Sequence, residues 1–551
     1  MQSKHPARIG NYIGAALMLL SAAVSGILLV LSLRYLVTNR FDSEAVTLEE
    51  RYFWGNLLIC GGALVLAVAA RGIARKLRRG GKEPSGVSSA VRNAVLAVCC
   101  VLLGTVCVLW IRLLQMPLLP DDSGICYSAA LAVWDGDYAA FLYPGGYLSL
   151  YPQQFGMIAM HLLSFAIGGE GAYVPFRYLN AAMLTGAYAA GALLVRRLET
   201  RYADRRGSCR TWFAEPLWLI LGLLNLPAIW YVNYLYGEIA SLSAMLIATW
   251  ALAEYAQSRH MRWLLPAALA VCMGVLLRKN TIIFVIAAGI ALLLHALLKK
   301  QWKSLVIAAV LAVCSFLPLS LLQAYAARDT GVEVSEGIPP QLFIAMGRMD
   351  DWIGPGWYND YNAAVYRSMD SDAEMAALVG SEKIREQSAG FRADPAYARD
   401  FYLRKVASQW AEPSYDGFYC CLHCDCAADP DFIGWINEVV GGSKTERTWR
   451  LLDLYQALIY LGIFLGSLFA LGDCIGKVRR REGKTDFLLL IPWITLIGGF
   501  LFSILWEAKS RYIIEYVTLL IPVACMGYLQ AGEWVTGLLT RRAGDRKETC
   551  E

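Results

Sequence analysis

Two groups of charged side chains have residue types and spacings that could support group-transfer chemistry. Asp121 and Asp122 are adjacent carboxylates in a stretch, 115–172, that contains no Lys or Arg. Lys509 and Arg511 stand two positions apart near the end of the chain. A carboxylate can take a proton from an attacking hydroxyl, and cations stabilise the charge that a leaving phosphate gains. These residues are therefore candidates for proton transfer and for binding an anion.

The segments that must position these charges are those of a membrane protein. Of 551 residues, 57% are hydrophobic and 17% charged, and the mean hydropathy is +0.44. Apolar blocks of about 20 residues match the ~30 Å of hydrocarbon that a helix must cross, and lipid offers backbone amides no other partner. We expect an all-α membrane protein of about 12 transmembrane helices. The predicted spans are 12–37, 53–70, 93–114, 173–195, 214–236, 240–257, 263–278, 280–298, 304–325, 451–472, 486–505 and 513–535.

The distribution of Lys and Arg predicts the orientation. With the N-terminus inside, the inner segments hold 29 cations and the short outer segments hold five, as expected of cytoplasmic loops. Both termini are then cytoplasmic in a multi-pass plasma-membrane protein, and 115–172 lies outside. The predicted units are a hairpin with a basic loop (1–92), a central transmembrane core (93–325), an extracytoplasmic helical subdomain (326–450), and the last helices with a basic tail (451–551).

Cations at the outer ends of the predicted spans suggest an anion at that face of the membrane. Since Lys and Arg usually avoid this side, a ring of them at one depth fits a lipid phosphate. The alternative is that each arginine snorkels to the outer headgroups. The seven residues of the predicted ring are Arg34, Arg112, Arg177, Arg278, Lys279, Lys509 and Arg511.

Six short motifs lie at the outer ends of the spans. They are PDDSGICYSAALAVWDGDY (120–138), FLYP (141–144), YPQQFG (151–156), PFRYLNAA (175–182), NYLYGE (233–238) and WEAKSRY (506–512). Their order resembles that of the GT-C glycosyltransferases, which include the protein O-mannosyltransferases and the lipid A aminoarabinose transferases. The resemblance covers roughly 93–300 and 485–535. An extra helical pair, 12–70, precedes the family's usual first helix, and 326–450 aligns with no known family domain.

The resemblance implies a GT-C-like catalytic core that transfers a sugar from a polyprenyl-phosphate donor to an extracytoplasmic acceptor, a protein, a lipid or a cell-envelope glycan, by inverting displacement. Aligning Gly136-Asp137-Tyr138 with the family's Gly-Asp-aromatic sequence makes Asp121 the base and Asp122 its neighbour. A divalent ion, Mg²⁺ or Mn²⁺, is an open alternative to side-chain cations, and no nucleic acid is implied. The donor phosphate would be bound by Arg511, Lys509, Arg177, Arg278 and Lys279. Glu238, Asp137 and Glu507 are candidates for a second acidic, metal-binding or acceptor-binding role.

Each assignment has a simpler alternative. The two aspartates could cap a helix that starts near Ser123, and Glu238 could be an interfacial anchor. Glu507 and Arg511, spaced i and i+4, could pair only with each other. The rival function is a non-enzymatic flippase or transporter of lipid-linked sugars. Polar residues in the middle of the spans would favour transport, and these spans carry few.

Two further features of 326–450 leave more than one interpretation. The cluster from Cys420 to Cys426, CCLHCDC, favours disulfides over a zinc site, because zinc sites usually take two separated ligand pairs. Free thiols are a third interpretation. Pro339-Pro340 and the run WIGPGWY, Trp352 to Tyr358, could line an acceptor groove or form the core of the segment.

Overall fold

The computed structural model describes residues 5–39, 43–51, 53–79, 87–114, 120–138, 145–206, 212–331, 333–422, 430–481 and 483–548. Its helices are α1 (His5–Arg34), α2 (Phe53–Arg79), α3 (Ser89–Leu113), α4 (Asp121–Trp134), α5 (Tyr147–Leu150), α6 (Phe155–Gly168), α7 (Val174–Arg206), α8 (Ala214–Leu223), α9 (Leu226–Trp230), α10 (Glu238–Ser258), α11 (Leu264–Leu277), α12 (Thr281–Lys299), α13 (Lys303–Thr330), α14 (Pro340–Met346), α15 (Tyr361–Ser368), α16 (Ala373–Ala393), α17 (Pro395–Trp410), α18 (Gly417–Leu422), α19 (Pro430–Val440), α20 (Thr445–Arg480), α21 (Ile491–Leu505) and α22 (Ile514–Glu548). Two strands, β1 (Tyr35–Asn39) and β2 (Val46–Glu50), form an antiparallel hairpin.

Within these described ranges, nine helical segments are apolar and long enough to cross a bilayer. They are Arg8–Arg34, Ser89–Leu113, Val174–Arg205, Glu238–Ser258, Thr281–Lys299, Lys303–Thr330, Thr445–Arg480, Phe487–Leu505 and Ile514–Leu539. Each overlaps a predicted span, and the helices at Val174–Arg205 and Thr445–Arg480 are longer than predicted. The other three predicted spans hold shorter apolar helices, Phe53–Leu66, Ala214–Leu223 and Met261–Leu277. The chain is therefore a helical, multi-pass membrane protein.

The predicted span 214–236 is not one continuous helix. α8 ends at Leu223, and Pro227 in the first turn of α9 cannot extend it, because proline has no amide hydrogen and its ring blocks the preceding turn. Residues 231–237 then run as buried irregular backbone. Asn180 Nδ2 donates hydrogen bonds of 3.2 Å to the carbonyls of Val232 and Tyr234. Such bonds let non-helical backbone lie inside a bundle.

The hairpin between α1 and α2 was not predicted. The apolar pattern extends the first span to residue 37, but the helix stops at Arg34 and β1 pairs with β2 from Tyr35↔Glu50 to Asn39↔Val46. The hairpin is held to the later segment 326–450, since the amide of Val46 donates to the carbonyl of Ile353 at 2.9 Å. Its loop carries Glu44.

Six helices, α14 to α19, lie entirely within the described part of the segment 326–450, which packs against the end of α21. The amide of Ala508 donates to the carbonyl of Gly356 at 2.7 Å. Buried Lys405 of α17 donates to the carbonyls of Ile504 (3.1 Å) and Trp506 (2.6 Å). Its ammonium group satisfies carbonyls at the C-terminus of α21 that have no partner within the helix, so Lys405 connects α17 to the end of α21.

Close packing between helices positions α20 against α22 and the start of α10 against the end of α11. α20 packs against both α1 and α22, and α10 packs between α7 and α11. Gly462 of α20 allows the approach to α22, because a Cβ at that position would lie 2.7 Å from Cβ of Ala524. At Gly237 a Cβ would lie 2.2 Å from the carbonyl oxygen of Leu277. This approach holds the start of α10 against the end of α11.

Candidate functional site

One cavity, of about 680 Å³, collects most of the predicted site residues. Its walls come from the start of α4, the turn before α6, the end of α11, the segment after α21, and residues of α14 and α15. Ligand cavities in proteins are commonly of this size. Seven of the ten predicted site residues line it: Asp121, Asp122, Arg278, Lys279, Glu507, Lys509 and Arg511.

Asp122 is held by a network of fixed partners. Arg511 Nη2 lies 2.7 Å from Asp122 Oδ2, and the hydroxyl of Tyr147 donates to Oδ1 at 3.0 Å. Burial raises the pKa of Asp122, but the charges of Arg511 and Lys509 outweigh burial, so the pKa lies below its ordinary value. Asp122 is therefore an ionised carboxylate whose ion pair positions Arg511.

Asp121 is the more open of the two carboxylates. Its side chain is 32% exposed, with Lys509 Nζ at 3.8 Å, and its φ of +56° places its backbone in the left-handed region. For a residue other than glycine, this backbone conformation costs about 1 kcal/mol or more. Such strained conformations are often found at functional sites. Burial raises the pKa of Asp121, and Glu44 and Asp122 add to the increase against the opposing cations. The pKa values of the two carboxylates are thus shifted in opposite directions, as expected when only one of them exchanges protons.

The capping alternative does not describe this geometry. α4 begins at Asp121, and its N-cap residue is Pro120. Both aspartates therefore lie inside the first turn, where their charge still suits the helix dipole.

Lys509 is neutralised by a residue that the sequence did not single out. Its Nζ lies 2.6 Å from Glu44 Oε1, and the two side chains are 5% and 13% exposed. Burial and Arg511 lower the pKa of Lys509, but the surrounding carboxylates outweigh them and leave the pKa raised. Glu44 is 465 positions away in the chain, and no local pattern marks it. The hairpin 35–50 thus supplies part of this site.

Arg278 is also engaged by carboxylates. Its Nη1 lies 2.7 Å from Glu238 Oε1, its Nε lies 3.2 Å from Glu515 Oε2, and its side chain is 5% exposed. Glu238 was predicted as a second acid or an interfacial anchor; the structure places it behind Arg278 rather than in the cavity wall. Glu515 was not predicted, because nothing in the sequence shows which cation a given carboxylate faces.

Two cations remain open to the cavity. Lys279 is exposed and has no ion-pair partner among the described residues. Arg367 of α15, which was not predicted, is 50% exposed; its Nε donates to the carbonyl of Gly145 at 3.2 Å, and its Nη1 lies 3.9 Å from Asp360. The cavity lining holds five cations and four acids (Arg278, Lys279, Arg367, Lys509 and Arg511; Asp121, Asp122, Glu336 and Glu507). Three acids behind the lining (Glu44, Glu238 and Glu515) pair with Lys509 and Arg278. The positive charge that an anion would meet is therefore that of Lys279 and Arg367.

Glu507 does not pair with Arg511 as the i, i+4 alternative proposed. The chain from 507 to 512 is extended and then forms a short 3₁₀ turn, so the helical spacing does not apply. The hydroxyl of Tyr512 donates to Glu507 Oε1 at 2.6 Å. Burial raises the pKa of Glu507 above its ordinary value.

The remaining predicted residues lie elsewhere. Arg177 is buried beside the ring of Tyr173, at 4.6 Å from its centroid, and does not line the cavity. Arg34 pairs with Glu50 at 2.9 Å. Asp137 lies in the turn after α4. The predicted ring of seven cations is therefore divided, and four of its members line the cavity.

Aromatic side chains form much of the remaining wall. Phe343 stacks on Trp506 with ring centroids 4.6 Å apart, and Tyr151 and Tyr358 line the same space. The predicted aromatic run is divided, since Tyr358 faces the cavity while Trp357 is fully buried and donates to Ser408 Oγ at 2.9 Å. Pro340 also lines the cavity.

The predicted divalent ion and the zinc alternative are both untested by the described residues. Across the described ranges, no group of three or more His, Cys, Asp or Glu residues is arranged to hold a metal ion. Asp122 and Glu44 are already paired with cations. Divalent-metal assistance stays a prediction. Cys420 and Cys421 are buried in α18, while His423, Cys424 and Cys426 lie outside the described residues, so the disulfide, zinc and thiol interpretations all stay predictions.

No protein-family model matches this sequence.

Proposed function

We propose that this protein is a GT-C-like membrane glycosyltransferase that moves a sugar from a polyprenyl-phosphate donor to an extracytoplasmic hydroxyl. The observation that carries the proposal is the contrast between two adjacent carboxylates. Asp122 is held by Arg511 and Tyr147, whereas Asp121 is open to the cavity and has a raised pKa. Paired acids with separated pKa values are typical of proton-transfer sites.

In this mechanism, Asp121 accepts the proton of the acceptor hydroxyl. The acceptor oxygen forms a bond to the anomeric carbon while the bond from that carbon to the phosphate oxygen breaks. The electron pair of the broken bond stays on the phosphate, which leaves as a phosphate monoester. Attack opposite the leaving group inverts the anomeric configuration.

Lys279 and Arg367 are assigned to the leaving phosphate. They are the open cations of the cavity, whereas Arg278, Lys509 and Arg511 each face a carboxylate at 2.6–2.7 Å. Since carboxylates offset the charges of these three cations, their part in this proposal is to hold the polar wall of the cavity in one arrangement. This division refines the predicted phosphate site, in which all five cations, Arg177 among them, had the same role.

The donor's prenyl chain is assigned to the apolar part of the cavity. Ile282, Ile283 and Phe502 line it and belong to spanning helices α12 and α21. Ile286 and Leu501, close to them in the sequence, are 58% and 54% exposed on the same helices. A lipid chain lying along this apolar surface would bring its phosphate to Lys279.

The test is transfer or slow hydrolysis of a synthetic polyprenyl-phosphate sugar by the purified protein. Asp121→Asn keeps the size of the side chain but removes the basic oxygen, so turnover should fall about 10²-fold or more while the donor still binds. The matched control is Asp135→Asn, at the exposed C-terminal end of the same helix. If the wild type leaves every such donor intact but moves it across a liposome bilayer, the flippase alternative is correct.

A further inference from the structure

We propose that a second cavity binds an anionic, phosphate-bearing lipid at the other end of the helix bundle. This cavity has a volume of about 850 Å³ and lies between the C-terminal parts of α7 and α20, the start of α21 and the middle of α22. It is separate from the candidate active site. Trp493 lines it, and Phe502, nine positions further along α21, lines the first cavity, so about 14 Å of helix separates the two residues.

The charges of the second cavity favour an anion. Arg201, Arg205, Lys477 and Arg480 line it, against Asp473 and Asp486. Two of these cations are already paired, since Arg201 lies 2.6 Å from Asp486 and Lys477 lies 2.6 Å from Asp473.

The other two cations of the lining, Arg205 and Arg480, are more accessible to an anion. Arg205 is 3.6 Å from Asp473 and 43% exposed. Arg480 is exposed and has no ion pair among the described residues. Lys299 adds a further positive charge behind Asp486, at 3.4 Å. An anion would therefore meet two cations that no carboxylate fully neutralises.

The rest of the lining favours a ligand with a hydrocarbon part. Phe469, Trp493, Val523 and Met526 contribute apolar walls, and Trp534, at 61% exposed, lies on the same lining. Tryptophan is common where protein, headgroup and hydrocarbon meet. A soluble anion could bind the cations but would make no contact with these apolar walls.

Two glycines keep the space open. Gly472 and Gly476 lie one helical turn apart in α20 and line the cavity, and a Cβ at either would have no heavy atom within 4 Å. The space beside them is thus unfilled by the protein, at the end of the bundle whose neighbouring segments carry most of the Lys and Arg. Basic pockets between spanning helices are suited to anionic lipid headgroups.

Binding can be tested on the delipidated full-length protein in detergent, by native mass spectrometry and by thermal stabilisation over a ligand titration. The ligands are phosphatidylglycerol, farnesyl phosphate, phosphatidylcholine and inorganic phosphate. We expect phosphatidylglycerol or farnesyl phosphate to bind more tightly than phosphatidylcholine. Whichever of the two binds more tightly identifies the lipid source. Equal stabilisation by inorganic phosphate, or no preference over phosphatidylcholine, overturns the proposal.

Variants locate the site. Arg480→Gln should weaken lipid binding about fivefold, the effect of one cation at a lipid headgroup. Gly476→Leu should weaken it by filling the cavity, without a clash at Cβ. The control is Arg479→Gln, the exposed neighbour that does not line the cavity and should bind as the wild type does. If all three variants bind equally, the lipid lies elsewhere and the proposal fails.

Discussion

Arg511 joins Asp122 to Tyr234: its Nη2 lies 2.7 Å from Asp122 Oδ2, and its Nη1 donates to the hydroxyl of Tyr234 at 2.5 Å. The guanidinium is 2% exposed. This link fixes the start of α4 to the irregular segment 231–237 and to the segment that follows α21. A lysine has one nitrogen and cannot bind both partners with the same planar geometry.

The first prediction concerns this ion pair. Arg511→Met alone should destabilise the protein by about 3 kcal/mol, because it leaves Asp122 partly buried without its cation. The double variant Arg511→Met/Asp122→Leu should be less destabilised than the sum of the single variants. Thermal unfolding in detergent, with Arg385→Met as the exposed control, measures both. Strict additivity would mean that the pair does not interact.

The second prediction concerns pH. If Asp121 is the base, kcat/KM should fall as the pH falls through its pKa, which lies above the ordinary value of 3.8. Glu44 raises that pKa, so Glu44→Gln should lower it and move the acidic limb of the profile to lower pH. Glu50→Gln, an exposed change in the same hairpin, should leave the limb in place. A shift to higher pH would contradict the assignment.

The third prediction separates the open cations from the paired ones. Lys279→Gln and Arg367→Gln should each lower turnover about tenfold or more, because each would remove a charged hydrogen bond to the leaving phosphate. Their melting temperatures should stay near that of the wild type, since neither side chain is buried. Arg385→Gln, on the exposed face of α16, is the activity control. Unchanged turnover in both cavity variants would leave the phosphate site unassigned.

The sequence anticipates the spanning helices well, because each long apolar block must form its own hydrogen bonds in lipid. It also identifies Asp121, Asp122, Lys509 and Arg511, whose positions at helix ends are local features. Glu44 and Arg367 could not be found in this way. Their roles depend on contacts between distant parts of the chain, and neither lies in a motif.

Contacts between distant parts of the chain also explain why the sequence suggested the wrong partner for Arg511. Spacing within one segment suggests that Glu507 pairs with Arg511, but the backbone there is not helical, and Asp122 lies 389 positions from its cation. The break in span 214–236 is marked by Pro227. The pattern of hydropathy does not reveal it, because apolar residues continue on both sides of Pro227, from Leu217 to Val232.

The fourth prediction tests that irregular segment. Gly237→Ala should destabilise the protein by about 1–3 kcal/mol, since its Cβ would lie 2.2 Å from the carbonyl oxygen of Leu277. Gly289→Ala, within α12, is the matched control; its Cβ meets nothing within 4 Å, and alanine favours a helix. The melting temperature should therefore fall in Gly237→Ala and stay the same or rise in Gly289→Ala. Similar melting temperatures would show that the backbones at 237 and 277 can separate freely.

The fifth prediction concerns orientation. The charge distribution predicts that 326–450 faces outward, so a thiol at Ser381→Cys, on exposed α16, should react with an impermeant reagent in intact cells. Lys303→Cys, at the predicted inner end of α13, should react only after permeabilisation. Mass spectrometry of the modified peptides separates these sites from the native cysteines. The opposite pattern would place the candidate site on the cytoplasmic side.

The contacts of Lys509 with Glu44 and of Arg511 with Asp122 also constrain biosynthesis. The carboxylates are made first, and their cations follow 465 and 389 positions later. At about 5–20 residues translated per second, roughly 20–80 s pass between the synthesis of Asp122 and that of Arg511. Throughout that interval the membrane-embedded nascent chain carries a carboxylate without its cation. The site can therefore assemble only after residue 511 has been made, and a chain stopped before residue 509 would lack both of these cations.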